Sequence, residues 1–342
     1  MAHRFERWDH LEDEEEIIIM PVLCRQRVLR DRLHPLDMYD DFDLYSRFRF
    51  PRAEIQKITD LLAADLQHDS DRNGALSPPL QVCLALRYFA TGSFQNLVGD
   101  SIQVHKSTVC RAIRKVALSL CKRLNEYVKF PSQPQNTTRQ KLHQIAGFPD
   151  ILGCVDGTHI RIKGPKENEN NFVNRKGYHS INTQIVCDAD LVITNSVIKW
   201  PGAKHDSFIL KQSSLWRDFE AGRYPGRLLG DSGYALRKWL MTPYLNPASV
   251  SEQCYNSAHT KTRNVVERCI GVLKNRWACL HRGILMEPDR AAAVAGACVV
   301  LHNMAMMWKV PLVEERNADD RGDIDIPFGE DNVPTEATWM SC

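Results

Sequence analysis

Two aspartates stand at the ends of apolar runs. Asp156 follows Ile151-Leu152-Gly153-Cys154-Val155, and Asp231 follows Leu228-Leu229-Gly230, with Gly157 beside the first and Gly230 and Gly233 beside the second. A carboxylate at the end of a buried strand is costly unless it is paired, hydrogen-bonded or bound to a cation. Glycine leaves room for a backbone or a ligand to approach it closely. If the two strands are neighbours, their carboxylates stand a few ångströms apart, and either one takes a proton or a cation sits between them. Hard, oxygen-rich sites of this kind suit Mg²⁺ or Mn²⁺. A third acid, Glu267, lies in the stretch TRNVVERCIGVLKNRWACL, with 35 residues between it and Asp231. Each acid also has a plainer reading: Asp156 and Asp231 as turn aspartates, and Glu267 as a surface glutamate paired with Arg263 one helical turn earlier. Asp206, in KHDSF, is a candidate auxiliary acid, although a helix cap at Ser207 is the simpler role; His205 and His302 read as structural.

Elements must bring these acids together. After Phe148 the pattern predicts strands over 151–162, 180–187 and 191–200, with Asp188 and Asp190 in the last turn, then a helix over 205–220 and short strands at 227–230 and 239–244. Two helices follow. On the first, 261–280, Val266, Ile270, Leu273, Trp277 and Leu280 make the core stripe, and Glu267 sits on its flank beside Arg263, Gly271 and Lys274. The second, 289–308, is apolar on nearly all sides, which predicts burial. Three strands in a meander followed by alternating helix and strand predict a mixed sheet covered by helices.

The first 130 residues read as helical. A helix starts at Pro51-Arg52-Ala53-Glu54, with Ile55, Ile58, Leu61 and Leu62 on one face, and another starts near Pro79, with Leu80, Cys83, Leu84 and Tyr88 inward. The stretch TGSFQNLVGDSIQVHKSTVCRAIRKVALSL parses as a short helix (94–101), a tight turn (103–105) and a second helix capped by Ser107. That second helix would expose Lys106, Arg111, Arg114 and Lys115 and bury Val109, Ile113 and Val116. This is a helix-turn-helix-like pattern over about 79–125, whose second helix suits a DNA major groove; a helical hairpin with a solvated basic face fits the same residues. Residues 131–148, beginning PSQPQNTT, read as a linker, and 69–74 as a loop.

Composition narrows the partners. The chain has 342 residues, 43% of them apolar, and a net charge of +2, which divides into −7 over residues 313–342 and +9 over the rest. A basic body suits a polyanion; the acidic segment 311–342 reads as a disordered tail, and residues 1–20, with the acidic run 12–16, as a mobile arm. Eleven cysteines without a C-x-x-C pair argue against a disulfide framework or a zinc ribbon and fit a reducing compartment. No apolar run reaches the roughly 18 residues of a membrane span, and the polar, charged first seven residues do not read as a signal peptide.

Six segments in order, GCVDGTHIRIKGP, FVNRKGYHSINTQIVCD, WPGAKHDSFIL, LLGDSGYALRKWLMTPY, NVVERCIGVLKNRW and CVVLHNM, together with the helical stretch 91–113, resemble the DDE transposases of the PIF/Harbinger superfamily and their domesticated nuclease relatives. The resemblance covers about residues 150–308. It implies an α/β, RNase H-like mixed sheet flanked by helices over 149–310, preceded by an all-α helix-turn-helix-like region over 1–130. It also implies that Asp156, Asp231 and Glu267 form a catalytic triad binding a divalent cation, Mg²⁺ or Mn²⁺. The expected activity is metal-dependent DNA endonuclease by a two-metal mechanism. The alternatives are a still active transposase, a catalytically retired nuclear DNA-binding or adaptor protein, and a helix-turn-helix regulator whose second half is structural. Expected partners are DNA and a separate Myb/SANT-like DNA-binding protein that supplies import, with work in nucleus and cytoplasm, no membrane and room for an oligomer. Candidate DNA contacts are Lys106, Arg111, Arg114 and Lys115, Arg175 and Lys176 in the Asn174–Tyr178 stretch, and Lys274 and Arg276 on either side of Asn275.

Overall fold

Five strands form one mixed sheet: β1 (Ile151–Arg161), β2 (Ser180–Cys187), β3 (Ile193–Pro201), β4 (Arg227–Leu229) and β5 (Leu240–Met241). Their spatial order is β3-β2-β1-β4-β5. The first three make an antiparallel meander; β4 returns parallel beside β1, and β5 lies parallel beside β4. This is the RNase H-like sheet expected above. The computed structural model describes residues 34–67, 75–100, 102–131 and 136–311; the arm at 1–20, the loop at 69–74 and the acidic tail after Pro311 lie outside them. β2 is buried at all eight positions, as a central strand covered on both faces must be.

Among the described residues, eight helices precede the sheet: α1 (Pro35–Met38), α2 (Asp41–Phe48), α3 (Arg52–Leu66), α4 (Pro78–Thr91), α5 (Gln95–Asp100), α6 (Lys106–Lys122), α7 (Leu124–Tyr127) and α8 (Asn136–Ala146). Five more follow β3: α9 (Asp206–Lys211), α10 (Ser214–Glu220), α11 (Val250–Arg276), α12 (Cys279–Arg282) and α13 (Pro288–Met307). α8 and α11 pack on β1 and α13 on β3, whereas α9 contacts β2. A separate cluster of Val155, Val186, Leu210, Leu215, Phe219 and Trp239 joins the sheet to α9 and α10.

Several boundaries differ from expectation for local reasons. α11 begins eleven residues before the predicted start, because Ser249 and Glu252 form a reciprocal capping box. The helix predicted over 205–220 is two, since Ser213 accepts from Trp216 N–H and starts α10 afresh. Within the predicted linker, residues 136–146 form α8, which packs on β1 and α11. The second helix of the helix-turn-helix-like pair is capped by His105, not Ser107: the imidazole Nδ1 accepts from Ser107 N–H. His205 caps α9 through Ser207 in the same way.

One core runs through both halves. The indole of Trp277, at the end of α11, meets Phe50 and Phe89 at ring separations of 5.9 and 6.3 Å, and α13 packs on α6. α13 is, among the described residues, the helix long and apolar enough to cross a membrane, a run the sequence reading did not find. Yet 72% of its apolar window is buried inside the protein, and it is the core helix of this fold.

Candidate active site

The register of β1 and β4 places the two aspartates. Cys154 pairs with Leu229 on the parallel neighbours, so Asp156, midway along β1, and Asp231, just past the end of β4, each follow that pair by two residues. A nearby backbone N–H holds each carboxylate. Asp156 Oδ1 accepts from Gly157 N–H at 2.9 Å, and Asp231 Oδ1 accepts from Gly233 N–H at 3.0 Å. Burial pushes the Asp156 carboxyl up to about 6; Arg263 and the Gly157 N–H work against that rise, and Asp231 and Asp206 add to it. The rise is that of an acid drawn out of water beside other acids.

α11 contributes the rest. It packs on β1 and presents Arg263 and Glu267 one turn apart. The Arg263 guanidinium donates through Nη1 to Asp156 Oδ2 at 3.2 Å and through Nη2 to Glu267 Oε1. The pairing with Arg263 that the sequence offered as the plainer reading of Glu267 is therefore present, and it ties Glu267 to Asp156. Arg263 itself was missed as a site residue; its i−4 spacing from Glu267 was the available signal.

Asp206 also faces this place. With His205 as the cap, its carboxylate is released from the role expected for it. Asp206 lies over Gly157, where an added Cβ would fall 2.7 Å from Oδ2 and closer still to Oδ1. Asn182 Nδ2 donates to Asp206 Oδ1 at 2.6 Å. Only glycine at 157 leaves room for this acid next to Asp156.

The basic candidates separate into three groups. Lys106, Arg111 and Arg114 are exposed on α6, while Lys115 is spent on the carbonyls of Leu66 and Gln67 at the end of α3. Arg175 and Lys176 are exposed on a turn organised by Asn174, whose Oδ1 accepts from the N–H groups of Lys176 and Tyr178. Lys274 donates to His159 O on β1 at 3.1 Å, and burial, then Lys176, push its ammonium down to about 8. Burial pushes the His159 imidazole down; Asp206 opposes this, and Lys274, Arg175 and Lys176 add to it. Arg276 is a correction: it is 1% exposed and donates to the carbonyls of Val310 and Pro311, so it holds the end of α13 and cannot meet DNA. His302 lies in the core, with Nε2 on Leu191 O at 2.8 Å.

Residues 155–303 match the family described as DDE superfamily endonuclease. The chain is 36% identical over 293 residues to "Putative nuclease HARBI1" of Homo sapiens, covering 82% of this chain and 84% of that protein. The chain belongs to the Harbinger transposase-derived nuclease family. The Xenopus laevis protein of the same name is 35% identical over 294 residues, 84% of each chain, and "Protein ALP1-like" of Arabidopsis thaliana is 28% identical over 300 residues, 81% of this chain and 72% of that protein. No solved structure matches. The DDE endonuclease segment holds Asp156, Asp206, Asp231, Arg263 and Glu267, so every acid described above falls inside it.

Members of this superfamily use divalent metals, and the donor chemistry here fits one in kind. The acids offer hard oxygens, Arg263 shows that they already draw a cation between them, and a buried hydroxyl beside them, Tyr234 Oη, has no hydrogen-bond partner. Among the described residues no three His, Cys, Asp or Glu side chains converge closely enough to hold an ion. Asp156 and Asp231 are neighbours, whereas Glu267 reaches Asp156 through Arg263.

Proposed function

We propose that this nuclease-family protein cleaves DNA strands by hydrolysis in a metal-dependent reaction, with Asp156, Asp231 and Glu267 as the catalytic acids and metal ligands. The observation that carries the reading is Asp156 on β1 beside Asp231, which follows directly on the parallel neighbour β4, with α11 bringing Glu267 to the Asp156 carboxylate through Arg263. Asp156 is the shared member, since it alone borders Asp231, Asp206 and the Arg263–Glu267 pair. Mg²⁺ or Mn²⁺, when bound, supplies Lewis acidity toward the phosphate and an activated water. The protein's own cations hold the substrate: Arg175, Lys176 and Lys274 beside the acids, and Lys106, Arg111 and Arg114 on the helix-turn-helix-like pair, contact backbone phosphates. Target choice falls to a separate Myb/SANT-like DNA-binding partner, which also carries the protein into the nucleus from the cytoplasm.

One observation favours a second reading, a retired DNA-binding or adaptor protein. Arg263 neutralises both Asp156 and Glu267, and a fixed guanidinium in that place would keep a metal out. The deciding experiment is nicking of supercoiled plasmid by the purified full chain with Mn²⁺, Mg²⁺ or EDTA, beside a folded Asp231→Asn variant. Metal-dependent nicking lost in the variant supports the nuclease. Equal nicking by both proteins removes the triad assignment. DNA binding without nicking, with or without the partner, favours the adaptor.

A further inference from the structure

Tyr234 ends the turn that carries Asp231. Its N–H donates to Asp231 O at 3.2 Å, which folds the ring back over Gly230; an added Cβ there would stand 2.8 Å from Tyr234 Cδ2 and 3.2 Å from Val155 Cγ1. The ring and the Val155 side chain thereby share the space over Gly230, next to Asp231. Tyr234 is 4% exposed and belongs to the apolar cluster with Val155, Trp239 and Leu240. Phenylalanine would fill that space equally well. The hydroxyl is the exception, a buried polar group with no partner, and a group left so is normally unfavourable. Burial first, then the carboxylates of Asp206, Asp156 and Asp231 in that order, push the phenol well above its ordinary range. Arg263 works against that rise.

We propose that Tyr234 is a positioning residue of the acid site, its hydroxyl donating to a carboxylate oxygen of the Asp206–Asp156–Asp231 group when these acids gather around a divalent cation. Asn182 already holds Asp206 Oδ1 from β2; Tyr234 supplies a second donor from the β4 side. Carboxylates that face a cation need such outer donors to fix their orientation, and losing one weakens metal binding about 10–100-fold. The inference rests on the cation-binding reading above and is separable from it.

The test compares the full-length wild type with Tyr234→Phe by Mn²⁺ titration calorimetry, by thermal unfolding in EDTA, and by plasmid nicking. The expected result is a variant as stable as the wild type or more so in EDTA, binding Mn²⁺ about 10–100-fold more weakly, with nicking recovered at high Mn²⁺. Equal Mn²⁺ affinity in the two proteins overturns the role of Tyr234 and leaves the nuclease reading standing. A variant that unfolds at lower temperature in EDTA also overturns it, because the hydroxyl would then be bonded in the cation-free protein. A wild type that binds no Mn²⁺ overturns the site reading and this inference with it.

Discussion

Replacing Asp156 by asparagine should make the folded chain more stable at neutral pH while abolishing its catalysis. The Asp156 carboxyl is raised from 3.8 to about 6, chiefly by burial. A carboxyl whose folded value lies above its unfolded value contributes most below pH 4, and the contribution is lost as pH rises through about 6. Two units at about 1.4 kcal/mol each give an upper bound of about 3 kcal/mol against the ionised form. Asparagine removes that cost, but it also leaves Arg263 with Glu267 as its one ionic partner. Partial solvent screening of the site reduces the figure further. A net gain of about 1–2 kcal/mol at pH 7.5 is expected, or about 2–8 °C in Tm at roughly 2–4 °C per kcal/mol. The assay is thermal unfolding of both proteins in EDTA from pH 4 to 8. The difference should be largest above pH 7, shrink below pH 6 and vanish near pH 4. An asparagine variant less stable at pH 7.5, or a difference independent of pH, would refute the reasoning that Asp156 is held ionised at a cost. Such a cost is what a functional site stores at the expense of stability.

Two further contrasts follow from the same geometry. Gly153→Ala should cost about 2–3 kcal/mol in urea unfolding, because its Cβ would stand 2.8 Å from the Cys187 carbonyl of the neighbouring strand, which cannot yield. Gly157→Ala should cost only about 1 kcal/mol, since it meets the movable end of Asp206, yet it should break the Asn182–Asp206 bond and reduce nicking. Arg114→Ala should lower DNA affinity and reduce the salt slope by about one contact. Arg276→Ala should leave that slope unchanged and lower Tm instead, through the lost anchoring of Val310 and Pro311.

Much of this site is legible from residue order. Asp156 and Asp231 end apolar runs because the strands that carry them are buried and the acids are not meant to be; any sheet that pairs those strands brings the two together. The meander over β1–β3 and the buried helix α13 follow from strand pattern and an all-round apolar helix, whereas the parallel pairing of β4 with β1 is seen only in the structure. Arg276 was misread because its neighbours in sequence, Lys274 and Asn275, look like a surface run. Its burial depends on Pro311, a contact 35 residues away, and side-chain burial is a tertiary quantity. Asp206 was misread because aspartate is the better capping residue by propensity; the imidazole of His205 took the cap by reaching Ser207 N–H, and that outcome depends on local backbone direction.

The sequence by itself determined the fold class, the acids and their order, because hydrophobic period and glycine placement are local properties that survive in any compact arrangement. Only the tertiary structure decided the company those acids keep. Arg263 stands between Asp156 and Glu267, Asp206 rests on the bare face of Gly157, and the Tyr234 hydroxyl is buried without a partner. Each of these depends on register between strands and on helix rotation against the sheet. A shift of one residue in either would turn the same side chains to another face.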